Sequence, residues 1–204
     1  PLTITASIVT SKDKFFAISE NKLFCFDEKQ RKFIVKYSFA EEIKHLEADL
    51  IGNIWVAISN KGLFFLDSSM SKLNQVEMID VFKSTKLSNK ITQLYIDKDN
   101  NLWVANLHDG LVMIEKQNEI FKFYESSKLG ITNRISSLFL LDDSLMWIGT
   151  DGSGLFVQKQ KNKFTNFKRG VQAGNVTFDD QITFIAPLYS NKIGIGTMSE
   201  GLIV

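Results

Sequence analysis

The sequence predicts an all-β chain built from repeated units, and three observations carry that prediction. Phenylalanine occurs 17 times, often in alternating runs such as Phe121-Lys122-Phe123-Tyr124. Alternation belongs to strands, whose successive side chains face opposite ways. No segment keeps apolar residues at helical spacing for long; the best helical candidates, 40–47 and 77–82, are short. The three tryptophans, Trp55, Trp103 and Trp147, recur in matching surroundings: Asn53-Ile54-Trp55-Val56-Ala57, Asn101-Leu102-Trp103-Val104-Ala105 and Leu145-Met146-Trp147-Ile148-Gly149.

Fixed offsets turn that recurrence into a ladder. A Gly-Leu pair begins seven positions after each tryptophan, at Gly62-Leu63, Gly110-Leu111 and Gly154-Leu155. An Ile-x-x-Leu or Ile-x-x-Ile stretch begins twelve positions before the tryptophan rung, at Ile43, Ile91, Ile135 and Ile182. The last of these leads to Gly194 in the tryptophan place and on to Gly201-Leu202. A weaker first copy reads Thr3-Ile4-Thr5-Ala6, then Phe15 in the tryptophan place, then Lys22-Leu23. Offsets are constant within a unit and spacings vary between units, as rigid hairpins joined by unequal loops require. The units are 3–42, 43–90, 91–134, 135–181 and an incomplete 182–204.

Each unit reads as four strands, a to d. Strand a is the Ile stretch, for instance 91–96. A turn of Asp, Asn and Gly follows, as in 97–101 or 49–53; these residues accept left-handed backbone or bond their own main chain. Strand b carries the tryptophan, and a polar turn through the glycine leads to strand c, as in 110–115. Strand d holds the spaced aromatics at 33–37, 121–124 and 164–167. Four short antiparallel strands every 40 to 48 residues define a β-propeller blade. A blade cannot bury its two faces alone, so blades come in series.

On these residues the chain resembles the two-component regulator propeller repeat. The resemblance lies in an Asp turn leading to Asn101-Leu102-Trp103-Val104-Ala105, in Met146-Trp147-Ile148-Gly149-Thr150-Asp151-Gly152-Ser153-Gly154-Leu155, and in the Phe-x-x-Tyr and Phe-x-x-Phe strands. It covers nearly the whole chain and is best over 91–124 and 135–167; the first and last copies depart from it. The resemblance implies a periplasmic sensor segment of a hybrid histidine kinase, an inner-membrane protein, with an oligosaccharide ligand and a homodimer formed through the full ectodomain. It also implies seven-bladed propellers. Strand c of the fifth unit runs to Val204 without a strand d, and Pro1 and Leu2 are too few to lend one. The expectation is therefore about five four-stranded blades excerpted from a larger, seven-bladed propeller. No signal peptide or membrane span is read in the sequence, which fits the interior of a secreted ectodomain and no membrane contact by this segment.

Composition narrows the function classes. The 204 residues are 44% hydrophobic and 23% charged, enough apolar material for a core and too little net charge for disorder. A formal charge of +1 gives no basic surplus for nucleic acid. One cysteine, Cys25, and two histidines, His45 and His108, exclude an intrachain disulfide and a cysteine-based zinc site and leave little for a histidine network. No catalytic residue, cofactor or metal is expected. The Asp97, Asp99, Asn101 alternation begins like a calcium loop but lacks the glycine and glutamate such a loop needs, so it reads as a hairpin turn.

Three readings of function remain. The repeated place of the tryptophans makes them blade core rather than a sugar-stacking platform. Cys25 between Phe24 and Phe26 reads as a small packed residue. The b–c and d–a loops share one rim of a blade, and variable polar loops on a rigid frame are where recognition resides. They supply the candidate ligand residues Asn60, Lys61, Asn106, His108, Asp109, Arg134, Asp151 and Ser153, chosen by location. The favoured reading is a non-catalytic ligand sensor. One alternative is a scaffold for protein partners. The other is a lyase similar to the streptogramin lyases, which would need His45 or His108 beside a channel with a carboxylate in reach; neither has an obvious partner.

Overall fold

A computed structural model of the chain describes residues 3–69, 73–76, 91–106, 110–117, 120–125, 131, 134–141, 145–160, 163–167, 172–173, 176–177, 181–188 and 192–204. Every regular element among them is a β-strand. Sheet 1 holds β1 (Ala6–Val9), β2 (Phe15–Ser19), β3 (Lys22–Asp27) and β4 (Lys32–Ser38). Sheet 2 holds β5 (Ile43–Ala48), β6 (Ile54–Ile58), β7 (Gly62–Leu66) and β8 (Leu73–Gln75). Sheet 3 holds β9 (Ile91–Ile96), β10 (Leu102–Asn106), β11 (Gly110–Gln117) and β12 (Ile120–Glu125). Sheet 4 holds β13 (Ile135–Leu141), β14 (Leu145–Thr150), β15 (Leu155–Gln160) and β16 (Lys163–Phe167). A small hairpin, β17 (Gln172–Ala173) with β18 (Val176–Thr177), precedes sheet 5, formed by β19 (Ile182–Pro187), β20 (Ile193–Thr197) and β21 (Leu202–Ile203). The strands of each sheet neighbour one another in chain order. The architecture is that of β-propeller blades. Residues 1–102 and 103–204 form two compact units, described separately below.

The a–b turns show why the Asp, Asn and Gly residues recur. Thr10, Asp49 and Asp97 each open a five-residue turn whose first N–H bonds the last carbonyl, at 3.0, 2.9 and 3.0 Å. The opening side chain then accepts the N–H groups of the third and fifth residues: Asp49 Oδ1 from Ile51 and Asn53 at 3.1 and 2.8 Å, and Asp97 Oδ1 from Asp99 and Asn101 at 3.0 and 2.8 Å. Thr10 Oγ1 does the same for Lys12 and Lys14, at 3.3 Å each. The fourth residue, Asp13, Gly52 or Asn100, is left-handed, with φ of 55°, 87° and 63°, a region these residue types enter readily. In the stretch that resembles a calcium loop, the Asp97 carboxylate is consumed by its turn.

The b–c turns repeat a second device that the sequence reading did not anticipate. Thr150 Oγ1 donates to the Gly154 carbonyl at 2.6 Å and accepts the Ser153 N–H at 3.1 Å. Thr197 repeats this with Gly201 and Glu200, at 3.1 and 3.0 Å. The glycine of each Gly-Leu pair, at 62, 110, 154 and 201, has φ between 75° and 90°, so the backbone need expected of it is met.

The core lies between successive sheets. In the first unit Phe16, Ile18 and Leu23 of sheet 1 pack on Ile54, Val56 and Ile58 of sheet 2. In the second unit Trp103, Ala105 and Leu111 pack on Ile135, Met146 and Ile148 of sheet 4, and Leu155 with Trp147 pack on Ile182, Ile185 and Ile195 of sheet 5. Sheet 4 thus offers one face to sheet 3 and the other to sheet 5. Trp55 is core, as expected: it is 2% exposed and stands edge-on to Phe65, centroids 4.8 Å apart, whereas Trp103 and Trp147 are half-buried and pack against the cores of the second unit.

Four details differ from the sequence reading. Phe16, not Phe15, holds the tryptophan place in sheet 1: Val9 pairs Phe15 across a five-residue turn as Ala48 pairs Ile54, which aligns Phe16 with Trp55. The twelve-residue offset then runs back to Ile4 rather than Thr3, and strand a starts at Ala6. The helical candidate 40–47 contains the start of strand β5, while 77–82 lies outside the described residues. The long segment 169–181, expected as a d–a loop, contains the β17–β18 hairpin. Finally, the register shifts by one residue between Ile43 and His45, Ile135 and Ser137, and Ile182 and Phe184. This recurrent bulge turns Lys44, Ser136 and Thr183 out of the ladder.

Candidate functional site

The rim formed by the b–c turns carries the candidate ligand residues, and only part of the set converges. In the second unit, Arg134 and Asp151 meet. Arg134 ends the d–a loop just before β13, and Asp151 follows β14. The Arg134 carbonyl accepts the Asp151 N–H at 2.9 Å, and its guanidinium contacts Asp151 Oδ2 at 2.5 Å. Arg134 is also left-handed, with φ 82°. A third side chain joins them: Gln181, bridged to Asp151 on the main chain, donates its amide to Asp151 Oδ1 at 3.2 Å. The Asp151 carboxylate is therefore held from two sides by loops leading into sheets 4 and 5. Ser153 contributes its N–H to Thr150, which fixes the turn beside this cluster.

The other candidates behave differently. Asn60 and Lys61 lie in the first unit, in the β6–β7 turn, where Asn60 is exposed and left-handed with φ 58°. The Lys61 carbonyl accepts from Gln75 Nε2 at 2.7 Å, and its ammonium lies 3.5 Å from Glu41. Asn106 is 1% exposed, buried at the end of β10 and not displayed to a ligand. His108 and Asp109 lie outside the described residues. Among the described residues no three His, Cys, Asp or Glu side chains are grouped so as to hold a metal ion.

One titratable pair escaped the sequence reading. His45 faces Ala57 and Glu47 faces Trp55 across the β5–β6 ladder, so the two share a face of β5 two positions apart. Burial lowers the His45 pKa below its usual value, with Lys44 adding to the effect. Burial pushes the Glu47 carboxyl up to about 7 from 4.5, against an opposing hydrogen bond from the Ala48 N–H. Between pH 4.5 and about 7 the folded chain keeps a proton on Glu47 that the unfolded chain has lost. Stability from this group therefore falls as pH rises through that window and is level above it. Partial exposure reduces the full linkage value to on the order of 2 kcal/mol. His45 acts in the opposite sense, costing stability as pH drops below its usual 6.5. Urea unfolding across this range is expected to show Glu47→Gln more stable than the parent at pH 8 and equal to it at pH 4. A pH-independent difference would rule out the buried carboxyl as its source.

Comparison with known proteins follows the same lines. Residues 85–108 match the family model described as the two component regulator propeller. Solved structures share the fold at low identity. One is the extracellular domain assigned to a hybrid two component system from B. thetaiotaomicron, with TM-score 0.65 and 17% identity, covering 98% of this chain and 33% of that one. Another is PorZ, a surface component of the type-IX secretion system of Porphyromonas gingivalis, with TM-score 0.70, 19% identity, and coverage of 98% and 32%. A third is the Cps50 (Swd1) beta-propeller domain of Myceliophteria thermophila, with TM-score 0.61, 9% identity, and coverage of 96% and 62%. The chain thus spans about a third of the two bacterial proteins. No curated protein matches the sequence. Solved structures from three settings share this fold, so the fold alone does not select a function.

Proposed function

We propose that this propeller segment, which carries a two-component regulator propeller repeat at 85–108, belongs to the extracytoplasmic ligand-sensing region of a hybrid two-component system. The ligand class is an oligosaccharide, and no catalytic step is assigned to the segment. The observation that carries the reading is the family match itself, supported by the likeness to an extracellular domain of such a system. The kinase would lie elsewhere in a longer inner-membrane protein, with the propeller on its periplasmic side. Ligand would bias the arrangement of paired ectodomains, which requires that it contact two states unequally.

Within this chain the recognition element would be the Arg134–Asp151–Gln181 cluster with the adjoining Ser153 turn. A guanidinium, a carboxylate and an amide held at fixed angles offer donors and acceptors to sugar hydroxyls on a rim that rigid strands support. A ligand that binds only the folded state raises the melting temperature with its occupancy. A panel of plant, host and bacterial oligosaccharides is expected to yield a selective thermal shift on the full ectodomain. Arg134→Ala should abolish that shift while moving the ligand-free melting point little, because an exposed ion pair contributes about 0–1 kcal/mol. Asp109→Ala is the companion variant. A silent panel on a folded sample would instead favour a protein-binding scaffold.

A further inference from the structure

The Arg134–Asp151–Gln181 cluster lies within the second unit, where the loops entering sheets 4 and 5 meet, and its charges balance. Arg134 Nη2 meets Asp151 Oδ2, while the neutral Gln181 amide holds Oδ1 from the other side. Each carboxylate oxygen thus receives one of these donors and keeps acceptor capacity, and the guanidinium keeps further N–H groups. The Arg134 and Asp151 side chains are 56% and 30% exposed, so the pair faces solvent. Arg134 is also strained. Glu42 and Gln181 hold the matching positions before β5 and β19 and are not left-handed; Arg134 is, at φ 82°, where a long side chain is disfavoured and glycine is not. Strain of this kind gathers at functional positions.

The matching boundary in the first unit carries carboxylates in the same two places. Glu20 follows Phe16 by four positions as Asp151 follows Trp147, and Glu42 precedes Ile43 as Gln181 precedes Ile182. The contact between sheets is of the same kind: the Ile43 N–H bonds the Glu20 carbonyl at 2.9 Å. The lysines beside it are engaged, Lys44 by Glu42 and Lys61 by Glu41. In both units these rim cations already have carboxylate partners.

Building on the reading of this cluster as the recognition element, we propose that its ligand is an uncharged, hydroxyl-bearing sugar unit and that Asp151 is the residue that turns anionic sugars away. A sugar hydroxyl both donates and accepts. Neighbouring hydroxyls can therefore donate to the Asp151 carboxylate and accept from Arg134 while the ion pair stays intact. A uronate carboxylate or a sulfate only accepts. It would compete with Asp151 for the guanidinium and bring a second negative charge against the first, and like charges set together at a binding surface reject the wrong partner.

Calorimetric titration of the full ectodomain with galacto-, gluco- and manno-oligosaccharides, each matched with its uronate, tests the proposal. The parent is expected to bind a neutral member about tenfold or more tightly than its uronate. Asp151→Asn keeps the shape and uncovers the Arg134 charge. It should weaken the neutral sugar, strengthen the uronate by about tenfold, and lose that gain as salt rises from about 0.05 to about 0.5 M. Arg134→Gly accepts the left-handed backbone without strain, so it should stay folded by circular dichroism and lose the neutral sugar. A parent that binds uronates as tightly as neutral sugars, or an Asp151→Asn preference unchanged while Arg134→Gly loses binding, overturns the assignment of Asp151 and leaves the rim as the binding site. Silence toward every sugar, or binding that neither variant alters, overturns the rim reading as well.

Discussion

Trp55→Ala is expected to destabilise the chain by about 4 kcal/mol. In a domain of this size that lowers the melting temperature by roughly 8–16 °C. The indole is 2% exposed and lies edge-on to Phe65, in a strand of which every residue is buried. Truncation to alanine removes one of the largest apolar side chains of the core and leaves a cavity that neighbouring strands, fixed by hydrogen bonds on both sides, cannot fill by shifting. Glu47, opposite Trp55 in the ladder, gains water at the same time, and its raised pKa should fall back toward the ordinary carboxylate range. Thermal and urea unfolding measure the first effect, and the pH dependence of the variant measures the second. An unchanged melting point with loss of oligosaccharide binding would make Trp55 a stacking platform and reverse its placement in the core.

What could be read in the sequence was the set of positions where backbone geometry restricts residue choice. The glycine seven positions after each tryptophan marks a left-handed turn, and only a small set of residues fits there. Asp49 and Asp97 mark turns because a short carboxylate reaches two N–H groups on its own loop. What could not be read was the bulge at Lys44, Ser136 and Thr183. An inserted residue leaves the hydrophobic pattern of its strand intact and is visible only in pairing. In sheet 1 two adjacent phenylalanines compete for one rung, and the alternation alone cannot choose Phe16 over Phe15; the length of the Thr10–Lys14 turn decides it. At the rim, loop membership alone brought Arg134 and Asp151 into the candidate set. Gln181 was missed because it lies 30 residues from Asp151, on a segment whose approach depends on where sheet 5 packs. Asn106 was included because the turn it borders is polar, yet its own side chain points into the buried side of the strand end.

The small residue two positions after the tryptophan place explains how close the sheets stand, and it yields the second large effect. That rung is Ala57 in sheet 2, Ala105 in sheet 3, Gly149 in sheet 4 and Gly196 in sheet 5. At Gly149 an added Cβ would clash with Ser137 Oγ and fall 2.6 Å from Ile182 Cγ2. One contact belongs to the same sheet and the other to the next, so relief in one direction worsens the other. Ile182 is 1% exposed and Ser137 6%, and neither side chain has open space to enter. Gly149→Val is therefore expected to cost about 3 kcal/mol, the upper part of the range for overpacking a filled core, with Gly149→Ala smaller. Gly152 provides the control: it lies three residues away with φ 102° and nothing within 4 Å of an added Cβ. Its alanine variant meets only backbone strain, about 1 kcal/mol. Urea unfolding should rank Gly149→Val below Gly149→Ala, and both below the parent. If Ile182→Ala is added, the second substitution should restore part of the stability lost to the valine, giving a favourable coupling of about 1 kcal/mol between the sites. Simple additivity of the two losses would mean that sheet 5 does not rest on Gly149 in solution, and the tight spacing of these two sheets would fail with it.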